Sequence, residues 1–165
     1  MWHLLYPRLH LQSIFDLDPE HLRRRGIKGI ITDMDNTLVP WNDRSVYPRL
    51  SRWLENLKEK GFFLYIISNS TPRRGKKLAG DLEIPAIWYA IKPRRRAFRK
   101  AIKEMNLLPR QVAVVGDQIF TDILGGNRLG LYTILVSPLC DKEFFWTRLL
   151  RRLEVKILER QKMKK

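Results

Sequence analysis

Residues 26–37 read GIKGIITDMDNT, and this stretch decides the fold. Its apolar centre, with Ile30 and Ile31, leads from a glycine to a polar end at Asp33, which is typical of a buried strand. A second carboxylate, Asp35, follows two residues later. Both carboxylates can face one site if the strand breaks into a tight turn at Asp33.

Strand and helix patterns alternate along the rest of the chain. Further strands are predicted at residues 62–67, 86–89, 112–115 and 133–136, and helices at 47–61, 73–82, 95–105, from 117 to about 130, and from 142 onwards. The run at 62–67 is apolar throughout, which is typical of a strand buried on both faces. The alternation predicts an α/β fold with a central parallel sheet and helices on both faces, a three-layer Rossmann-like arrangement.

The chain length of 165 residues and the lack of internal repeats predict one domain, residues 1–165. Residues 1–25 are interpreted as an N-terminal extension. Residues 142–165 are interpreted as a basic C-terminal helix, because they carry nine Lys or Arg against three Glu.

The net charge is strongly positive, with 32 Lys and Arg against 17 Asp and Glu, or +15. Such a charge indicates an anionic partner: nucleic acid, an anionic membrane or a phosphorylated substrate. The single cysteine excludes an internal disulfide. No apolar run reaches the roughly 18 residues of a membrane span, and no signal peptide is recognisable. We therefore expect a cytoplasmic protein, with peripheral contact at the inner face of a membrane as an option.

Four polar clusters follow the predicted strands: residues 33–37, residues 68–70, Lys92, and residues 116–122. In a parallel sheet the site lies beyond the carboxyl ends of the strands. We therefore expect all four clusters to meet at one edge.

The residue types in these clusters suit phosphoryl chemistry. Of the two carboxylates, Asp33 and Asp35, one can be a nucleophile while the other transfers protons. Thr37 can hold the turn shut. Ser68 and the backbone amides after it could hold a phosphoryl oxygen, although an ordinary turn remains an alternative for this cluster.

The other two clusters suit charge balance and metal binding. The ammonium of Lys92 can neutralise phosphate charge, although a solvated lysine is the alternative. Asp117 suits Mg²⁺, which prefers hard oxygen ligands, or else it caps a helix. Asp122 could assist through water or by orienting Lys92, or else it is a solvated helix residue.

A decoy with the same spacing as Asp33 and Asp35 occurs at Asp16 and Asp18. It follows no buried strand, and Pro19 comes next, so Asp18 is predicted to cap a short helix. The three histidines lack metal-ligand spacing and are predicted to be structural or exposed.

The ordered clusters resemble the four motifs of the haloacid dehalogenase (HAD) superfamily. The matching residues are Asp33-x-Asp35-x-Thr37, Ser68, Lys92, and Gly116-Asp117-x4-Asp122. Residues 116–122 and 125–127, the Lys92-Pro93 pair and residues 26–29 further resemble YqeG-type phosphatases of HAD subclass IIIA. That group is similar to the mitochondrial phosphatidylglycerophosphate phosphatases. The resemblance runs from about Leu4 to the C-terminal helix.

This resemblance implies catalytic and metal-binding roles. Asp33 is expected to be the nucleophile and a Mg²⁺ ligand. Asp35 is expected to be the general acid and base, with its backbone carbonyl on the metal. Asp117 is expected to bind Mg²⁺ directly with Asp122 assisting, and Lys92 is expected to balance charge.

The same resemblance implies contacts with the substrate. Ser68, with Thr37 and Asn69, is expected to hold the phosphoryl group. Asn36 departs from the commonest superfamily pattern, which has Gly there, although several phosphatase branches carry Asn.

The spacing of the motifs leaves no room for a cap domain. Residues 38–67 are used up by one helix and one strand, and only residues 71–91 separate the second motif from the third. An open site suits phosphate on something large, such as a membrane lipid, a nucleic-acid end or a protein. Basic clusters at 73–77 and 92–103 flank the predicted site, and the apolar N-terminus could add an interfacial contact, or could pack onto the domain's own core. Six residues form that apolar set: Trp2, Leu4, Leu5, Tyr6, Leu9 and Leu11.

The preferred hypothesis is a Mg²⁺-dependent phosphatase that acts through a phospho-aspartate and converts phosphatidylglycerophosphate to phosphatidylglycerol. The lipid rests on the family resemblance, with the basic surface as support. One alternative keeps the enzyme but changes the substrate to a nucleic-acid phosphate end or a soluble phosphate ester. Another is a non-catalytic nucleic-acid-binding module.

Overall fold

A computed structural model of the protein describes residues 2–43, 45–140 and 145–162. It contains six strands, β1 (Leu9–Leu11), β2 (Gly29–Thr32), β3 (Phe63–Ile67), β4 (Ala86–Ile87), β5 (Val112–Gly116) and β6 (Tyr132–Val136). They form one sheet in the order β1-β6-β5-β2-β3-β4, and every neighbouring pair is parallel. The predicted parallel α/β sheet is therefore confirmed.

Helices connect the strands. They are α1 (Pro19–Arg24), α2 (Pro48–Glu59), α3 (Pro72–Asp81), α4 (Arg95–Glu104), α5 (Leu124–Asn127) and α6 (Phe145–Lys162). Short 3-10 turns occur at Trp2–Leu5, Ile14–Asp16 and Pro109–Gln111, and a π-helical turn occurs at Ile119–Ile123. One helix lies between β2 and β3 and another between β3 and β4, which is the cap-free spacing predicted from the sequence.

The core consists of two apolar layers, one on each face of the sheet. Neighbouring residues of a strand point to opposite faces, and Ile30 and Ile31 in β2 accordingly belong to different clusters. One layer contains the buried face of α2 with Leu50, Leu54 and Leu57. The other contains α4. The helix–sheet–helix arrangement is thus the predicted three-layer one.

Four local features differ from the sequence-based prediction. β1 pairs with β6 but was not predicted, because three residues after Pro7 and Arg8 carry too short a pattern. β4 has two residues rather than four. Phe63, predicted to be buried, is 54% exposed at the amino end of β3. The helix predicted after Gly116 begins as the π-helical turn.

Most of the apolar N-terminus packs onto the domain. Leu9 and Leu11 contact the larger core cluster, and Leu5 and Tyr6 pack against a third cluster around Ile119. Trp2, in contrast, is 55% exposed. The alternative of packing onto the domain's own core therefore describes this segment better than an interfacial one.

The C-terminal helix is present as α6 over residues 145–162, while residues 142–144 and 163–165 of the predicted helix lie outside the described residues. Among the helices described, none combines the length and the apolar character that crossing a membrane requires.

The packing of α5 on the sheet can be tested at Gly126. A Cβ there would lie 2.3 Å from Val114 Cγ1 and 2.9 Å from Thr133 Cγ2, so Gly126→Ala should lower the free energy of unfolding by about 1–3 kcal/mol. Gly80 in α3 is the control, since nothing lies within 4 Å of its Cβ position. Gly80→Ala should raise the free energy of unfolding by about 0.5–1 kcal/mol. Urea denaturation measures both, and equal effects would contradict this packing.

Candidate active site

The order of the strands brings the predicted polar clusters to one edge of the sheet. β2 lies between β5 and β3, and its last residue, Thr32, is level with the penultimate residue of each neighbour. Asp33 therefore lies between Asp117, which follows β5, and Ser68, which follows β3. A cleft of about 240 Å³ opens at this edge, lined by Asp33, Asp35, Asn36, Trp41, Ser68, Asn69, Ser70, Lys92, Gln118 and Thr121.

Lys92 reaches this edge from the loop after β4. Its Nζ lies 2.8 Å from Asp33 Oδ1 and 2.7 Å from Asp122 Oδ1, and all three side chains are buried. Its backbone N–H donates to Asn69 Oδ1 at 2.7 Å. These contacts exclude the alternative of a solvated lysine.

Three carboxylates form a cluster beside Lys92. Asp33, Asp117 and Asp122 are buried, and one oxygen from each lies within 4.8 Å of the other two. One ammonium balances one of these three charges, so the cluster favours a divalent cation. The donors are all hard oxygen atoms, and the set therefore fits a cation such as Mg²⁺.

Burial shifts the titration of this cluster. It raises the pKa of the Asp33 carboxyl from 3.8 to about 8; the Lys92 ammonium opposes the rise, and the Asp122 and Asp117 carboxylates add to it. For Lys92, burial disfavours the ammonium, but the carboxylates of Asp122 and Asp33 outweigh burial and raise its pKa. Lys92 therefore stays charged at neutral pH, while Asp33 holds its proton more tightly than a free carboxyl does.

Asp122 is held in a single orientation. Besides accepting from Lys92, it accepts from the backbone N–H of Gln118 through Oδ2 at 3.3 Å. A Cβ on Gly116 would lie 2.3 Å from the Asp122 carboxyl carbon. Glycine therefore lets Asp122 approach the strand end, and of its two predicted ways of assisting, the geometry favours the orientation of Lys92.

The C-terminal helix supports the turn that carries Asp122. Glu154 of α6 is buried, and its Oε1 accepts from the backbone N–H of Ile119 at 2.7 Å. This acceptor satisfies a donor at the start of the π-helical turn. Sequence analysis described this region only by its basic charge and missed Glu154, because its partner lies 35 residues away.

Asp35 faces the same cleft but lies outside the carboxylate cluster. The hydroxyl of Ser70 donates to Asp35 Oδ2. Arg74 approaches Asp35 Oδ1 with Nε at 3.0 Å and Nη2 at 2.9 Å. The same guanidinium donates to the Trp41 carbonyl and lies 5.2 Å from the centre of the Trp41 ring.

Sequence reasoning missed the contacts of Arg74 and Trp41. Arg74 belongs to a basic run whose members look alike in the sequence, and Trp41 belongs to no strand or helix. Arg74 lies in the first turn of α3 and Trp41 lies in the loop after β2. The pairing of β2 with β3 brings these two segments together.

The turn after Asp33 is closed by short-range contacts. Asn36 has φ +59°, a conformation that Gly and Asn tolerate best, which explains why Asn suits this position. Asn36 Oδ1 accepts from the Trp41 N–H at 3.0 Å. Thr37 lies behind the cleft, where its hydroxyl donates to Asp117 Oδ1 at 3.3 Å. The contact of Thr37 is therefore with Asp117 rather than with the cleft predicted to hold substrate.

Ser68 and Asn69 both line the cleft. Ser68 is buried, and its Oγ accepts from the Ser70 N–H at 3.1 Å, which fixes the turn. The carboxamide of Asn69 is tied to the backbone of Lys92. The structure thus brings together every predicted site residue, with Thr37 beneath the cleft rather than on its surface.

The decoy lies apart from this site. Asp18 caps α1, because its side chain accepts from the Glu20 N–H at 2.9 Å, and the sequence-based prediction is confirmed. Asp16 accepts from the Ser13 N–H within a capping box. His21 lies 3.1 Å from the Tyr132 hydroxyl, a structural contact.

Comparisons with family models, curated proteins and solved structures all identify the same family. The model of the haloacid dehalogenase-like hydrolase family matches residues 40–130. A Bacillus subtilis (strain 168) protein named probable phosphatase YqeG is 45% identical over 158 residues, which are 96% of this chain and 92% of that protein. The crystal structure of a HAD phosphatase from Thermococcus onnurineus superposes with a TM-score of 0.51 at 27% identity, covering 61% of this chain and 51% of that one.

A plant protein is also similar. The phosphatidylglycerophosphate phosphatase 1 of Arabidopsis thaliana, described as chloroplastic/mitochondrial, is 30% identical over 164 residues. The match covers 93% of this chain and 47% of the plant protein, so the chain spans about half the length of that relative. Together with the parallel sheet and the carboxylate cleft, these matches establish that the chain belongs to the haloacid dehalogenase-like hydrolases, as a YqeG-type phosphatase.

Proposed function

We propose that the protein is a Mg²⁺-dependent phosphomonoester hydrolase that acts through a phospho-aspartate on Asp33. The observation that carries this proposal is the buried contact between the carboxylate of Asp33 and the ammonium of Lys92, beside Asp117 and Asp122. Asp33 lines the open cleft, so its carboxylate can reach the phosphorus atom of a bound phosphate ester. The Lys92 ammonium holds that carboxylate in place. A non-catalytic binding module would need no such paired carboxylates.

In the first half-reaction, a carboxylate oxygen of Asp33 attacks the phosphorus atom while the bond to the ester oxygen breaks. Asp35 donates a proton to that leaving oxygen, which departs as an alcohol. Ser68 and Asn69, at the end of β3, hold the phosphoryl oxygens. Lys92 offsets part of the negative charge that gathers in the transition state.

In the second half-reaction, Asp35 takes a proton from a water molecule, and the water oxygen attacks the phosphorus. The bond between phosphorus and the Asp33 oxygen breaks, so Asp33 is regenerated and inorganic phosphate leaves. Asp35 has then given one proton and recovered one. The contacts from Ser70 and Arg74 keep its carboxylate at the cleft for both steps.

The carboxylates of Asp33 and Asp117 and the backbone carbonyl of Asp35 would hold Mg²⁺. When bound, the ion supplies electrostatic stabilisation of the phosphoryl oxygens. Asp122 acts through Lys92, since its two oxygens are occupied by the Lys92 ammonium and by a backbone N–H.

We infer that the substrate is phosphatidylglycerophosphate. The name of the Arabidopsis relative supports this lipid, although that protein is about twice as long. The short connections between β2, β3 and β4 leave the cleft accessible to a phosphate carried on a bulky or membrane-bound molecule. The charge of +15 suits an anionic surface.

Phosphate release from detergent-dispersed phosphatidylglycerophosphate tests the proposal. Wild-type protein should release phosphate with Mg²⁺ and lose that activity with EDTA. Asp33→Asn should lower the rate at least about 10³-fold, because it removes the nucleophile. Asp18→Asn is a matched control, since Asp18 caps α1 away from the cleft.

A panel of soluble phosphate esters and a 5′-phosphorylated oligonucleotide separates mechanism from substrate. Cleavage of another ester but not of the lipid would retain the mechanism and reject the lipid. Folded, Mg²⁺-loaded protein that cleaves no member of the panel would contradict the phosphatase proposal and favour a binding module.

The stabilisation by Mg²⁺ should increase with pH. With the pKa of Asp33 raised from 3.8 to about 8, folded protein without metal holds a proton that the unfolded chain has already released. Its stability should therefore fall as pH rises between these two values. Mg²⁺ must displace that proton at pH 6 but not at pH 9, so the rise in Tm on adding Mg²⁺ should be larger at pH 9. Asp33→Asn should lose most of this difference; equal shifts in wild-type protein at both pH values would contradict the buried cluster.

Arg74 is expected to position Asp35. Arg74→Gln should lower kcat by about tenfold, a typical effect of losing the partner that orients a reactive group. It should leave KM and the Mg²⁺ midpoint nearly unchanged, because Arg74 contacts none of the three clustered carboxylates. Arg73→Gln is the control, since Arg73 is exposed on the same turn. A pure loss of thermal stability with unchanged kcat would reject the positioning role.

A further inference from the structure

The loop between β4 and α4, residues 88–94, presents two large apolar side chains to solvent. Tyr89 is 61% exposed and Ile91 is 57% exposed, the two highest values among the large apolar side chains that are described. The residue between them, Ala90, is buried. The two apolar side chains thus project outward on either side of an anchored residue.

The backbone of this loop is held in an unfavourable conformation. Tyr89 has φ +49° and Ile91 has φ +52°, a region that β-branched residues such as isoleucine rarely adopt. Backbone contacts to the turn after β3 fix it: Tyr89 N–H to Ser70 O at 3.1 Å and Ala90 N–H to Ser68 O at 3.1 Å. Asparagine or glycine would adopt this conformation at lower cost. Backbone strain together with exposed apolar surface indicates that this loop serves a function rather than the stability of the fold.

Positive charge borders these two side chains. A groove of about 290 Å³ is lined by these two side chains, by other apolar residues such as Trp88, and by Arg94, Arg96 and Lys100. From residue 84 to residue 103 the chain carries seven Lys or Arg and no Asp or Glu. Arg94, Arg95 and Arg96 are exposed, and the ion pairs found within the described ranges involve none of them.

The loop is continuous with the proposed active site. Ile91 directly precedes Lys92, so the two Cα atoms are about 3.8 Å apart, and the Lys92 ammonium contacts Asp33. The exposed side chains and the cleft therefore lie at the same edge of the sheet. Whatever contacts Ile91 therefore lies close to Lys92, which lines the cleft.

We propose that residues 88–94 dock the protein on an anionic lipid bilayer, with Tyr89 and Ile91 inserted at the boundary between headgroups and acyl chains. Arg94, Arg95 and Arg96 contact lipid phosphates at the same time. This inference rests on the proposed function, since it names the surface from which the lipid substrate enters the cleft. It also transfers the membrane contact from the N-terminal segment, which largely packs onto the core, to a loop beside the catalytic residues.

The combination of side chains favours a bilayer over a nucleic acid. Both are polyanions, and arginines alone attract either one. Inserting an aliphatic side chain gains free energy only where it leaves water for an apolar phase, which a bilayer provides. Ile91 has no aromatic face on which a base could stack.

Cosedimentation with phosphatidylglycerol vesicles, beside phosphatidylcholine vesicles, tests the proposal. Wild-type protein should bind the anionic vesicles, and Tyr89→Asn/Ile91→Asn should weaken that binding by about tenfold or more, because affinity scales with inserted apolar area. Asparagine suits a positive φ, so this variant should fold at least as well as wild type, which its Tm would verify. Phe63→Thr is the matched control, since Phe63 is similarly exposed but lies at the opposite edge of the sheet. The Phe63→Thr variant should bind the anionic vesicles as tightly as wild-type protein does.

A second variant, Arg94→Gln/Arg96→Gln, tests the charge contribution. It should weaken binding to anionic vesicles and flatten the dependence of binding on salt. All these variants should hydrolyse a soluble phosphate ester at the wild-type rate, because none alters the residues to which we assign catalysis.

The outcomes separate this inference from the proposed function. Wild-type protein that ignores anionic vesicles, or vesicle binding that survives both double variants, overturns the docking proposal. So does Arg94- and Arg96-dependent binding of an oligonucleotide without vesicle binding. Vesicle binding that requires Ile91 and Tyr89 in a protein unable to cleave any phosphate ester would retain the docking surface and reject the phosphatase. Normal hydrolysis of soluble esters without vesicle binding would retain the phosphatase and reject the docking surface.

Discussion

The ammonium of Lys92 is buried between the carboxylates of Asp33 and Asp122, and the carboxyl edge of the sheet is arranged around this contact. A buried charge without a partner is strongly destabilising, so each of these groups requires the others. Asp33 directly follows the central strand β2, Lys92 lies in the loop after β4, and Asp122 lies on a turn after β5. Three separate connections must therefore meet within hydrogen-bonding distance, and the parallel strand order makes this possible.

The charge balance of that edge is incomplete without a further cation, and this deficit links structure to function. Asp117 adds a third carboxylate to the cluster, which one ammonium does not offset. Burial raises the pKa of Asp33, and the neighbouring carboxylates of Asp122 and Asp117 add to that rise. The buried carboxylates that weaken the fold at high pH are also the groups that fit a divalent cation, so this edge carries charge where an apolar residue could have added stability.

The sequence predicts the parts of this arrangement that depend on local pattern. Each polar cluster directly follows an apolar run, so the position of Asp33 and Ser68 at strand ends follows from these runs alone. The pairing of Arg74 with Asp35 does not, since it joins residues 39 apart and one arginine in a basic run looks like the next. The contact of Glu154 with Ile119 is likewise not predictable, because it joins residues 35 apart. β1 escapes because a three-residue edge strand is defined by its neighbour rather than by its own pattern.

The cleft at this edge and the exposed loop beside it are held by neighbouring contacts to the same turn. The turn at residues 68–70 accepts the backbone N–H groups of Tyr89 and Ala90, and Asn69 accepts that of Lys92. The contacts that fix the backbone of Lys92 therefore belong to the same set that holds the loop carrying Tyr89 and Ile91. These contacts are made by backbone N–H groups, so they hold Lys92 in place whatever side chains residues 89 and 91 carry. An anionic surface that contacts Ile91 would thus meet a cleft in which the Lys92 ammonium is already held against Asp33, so the proposed docking requires no rearrangement of these two side chains.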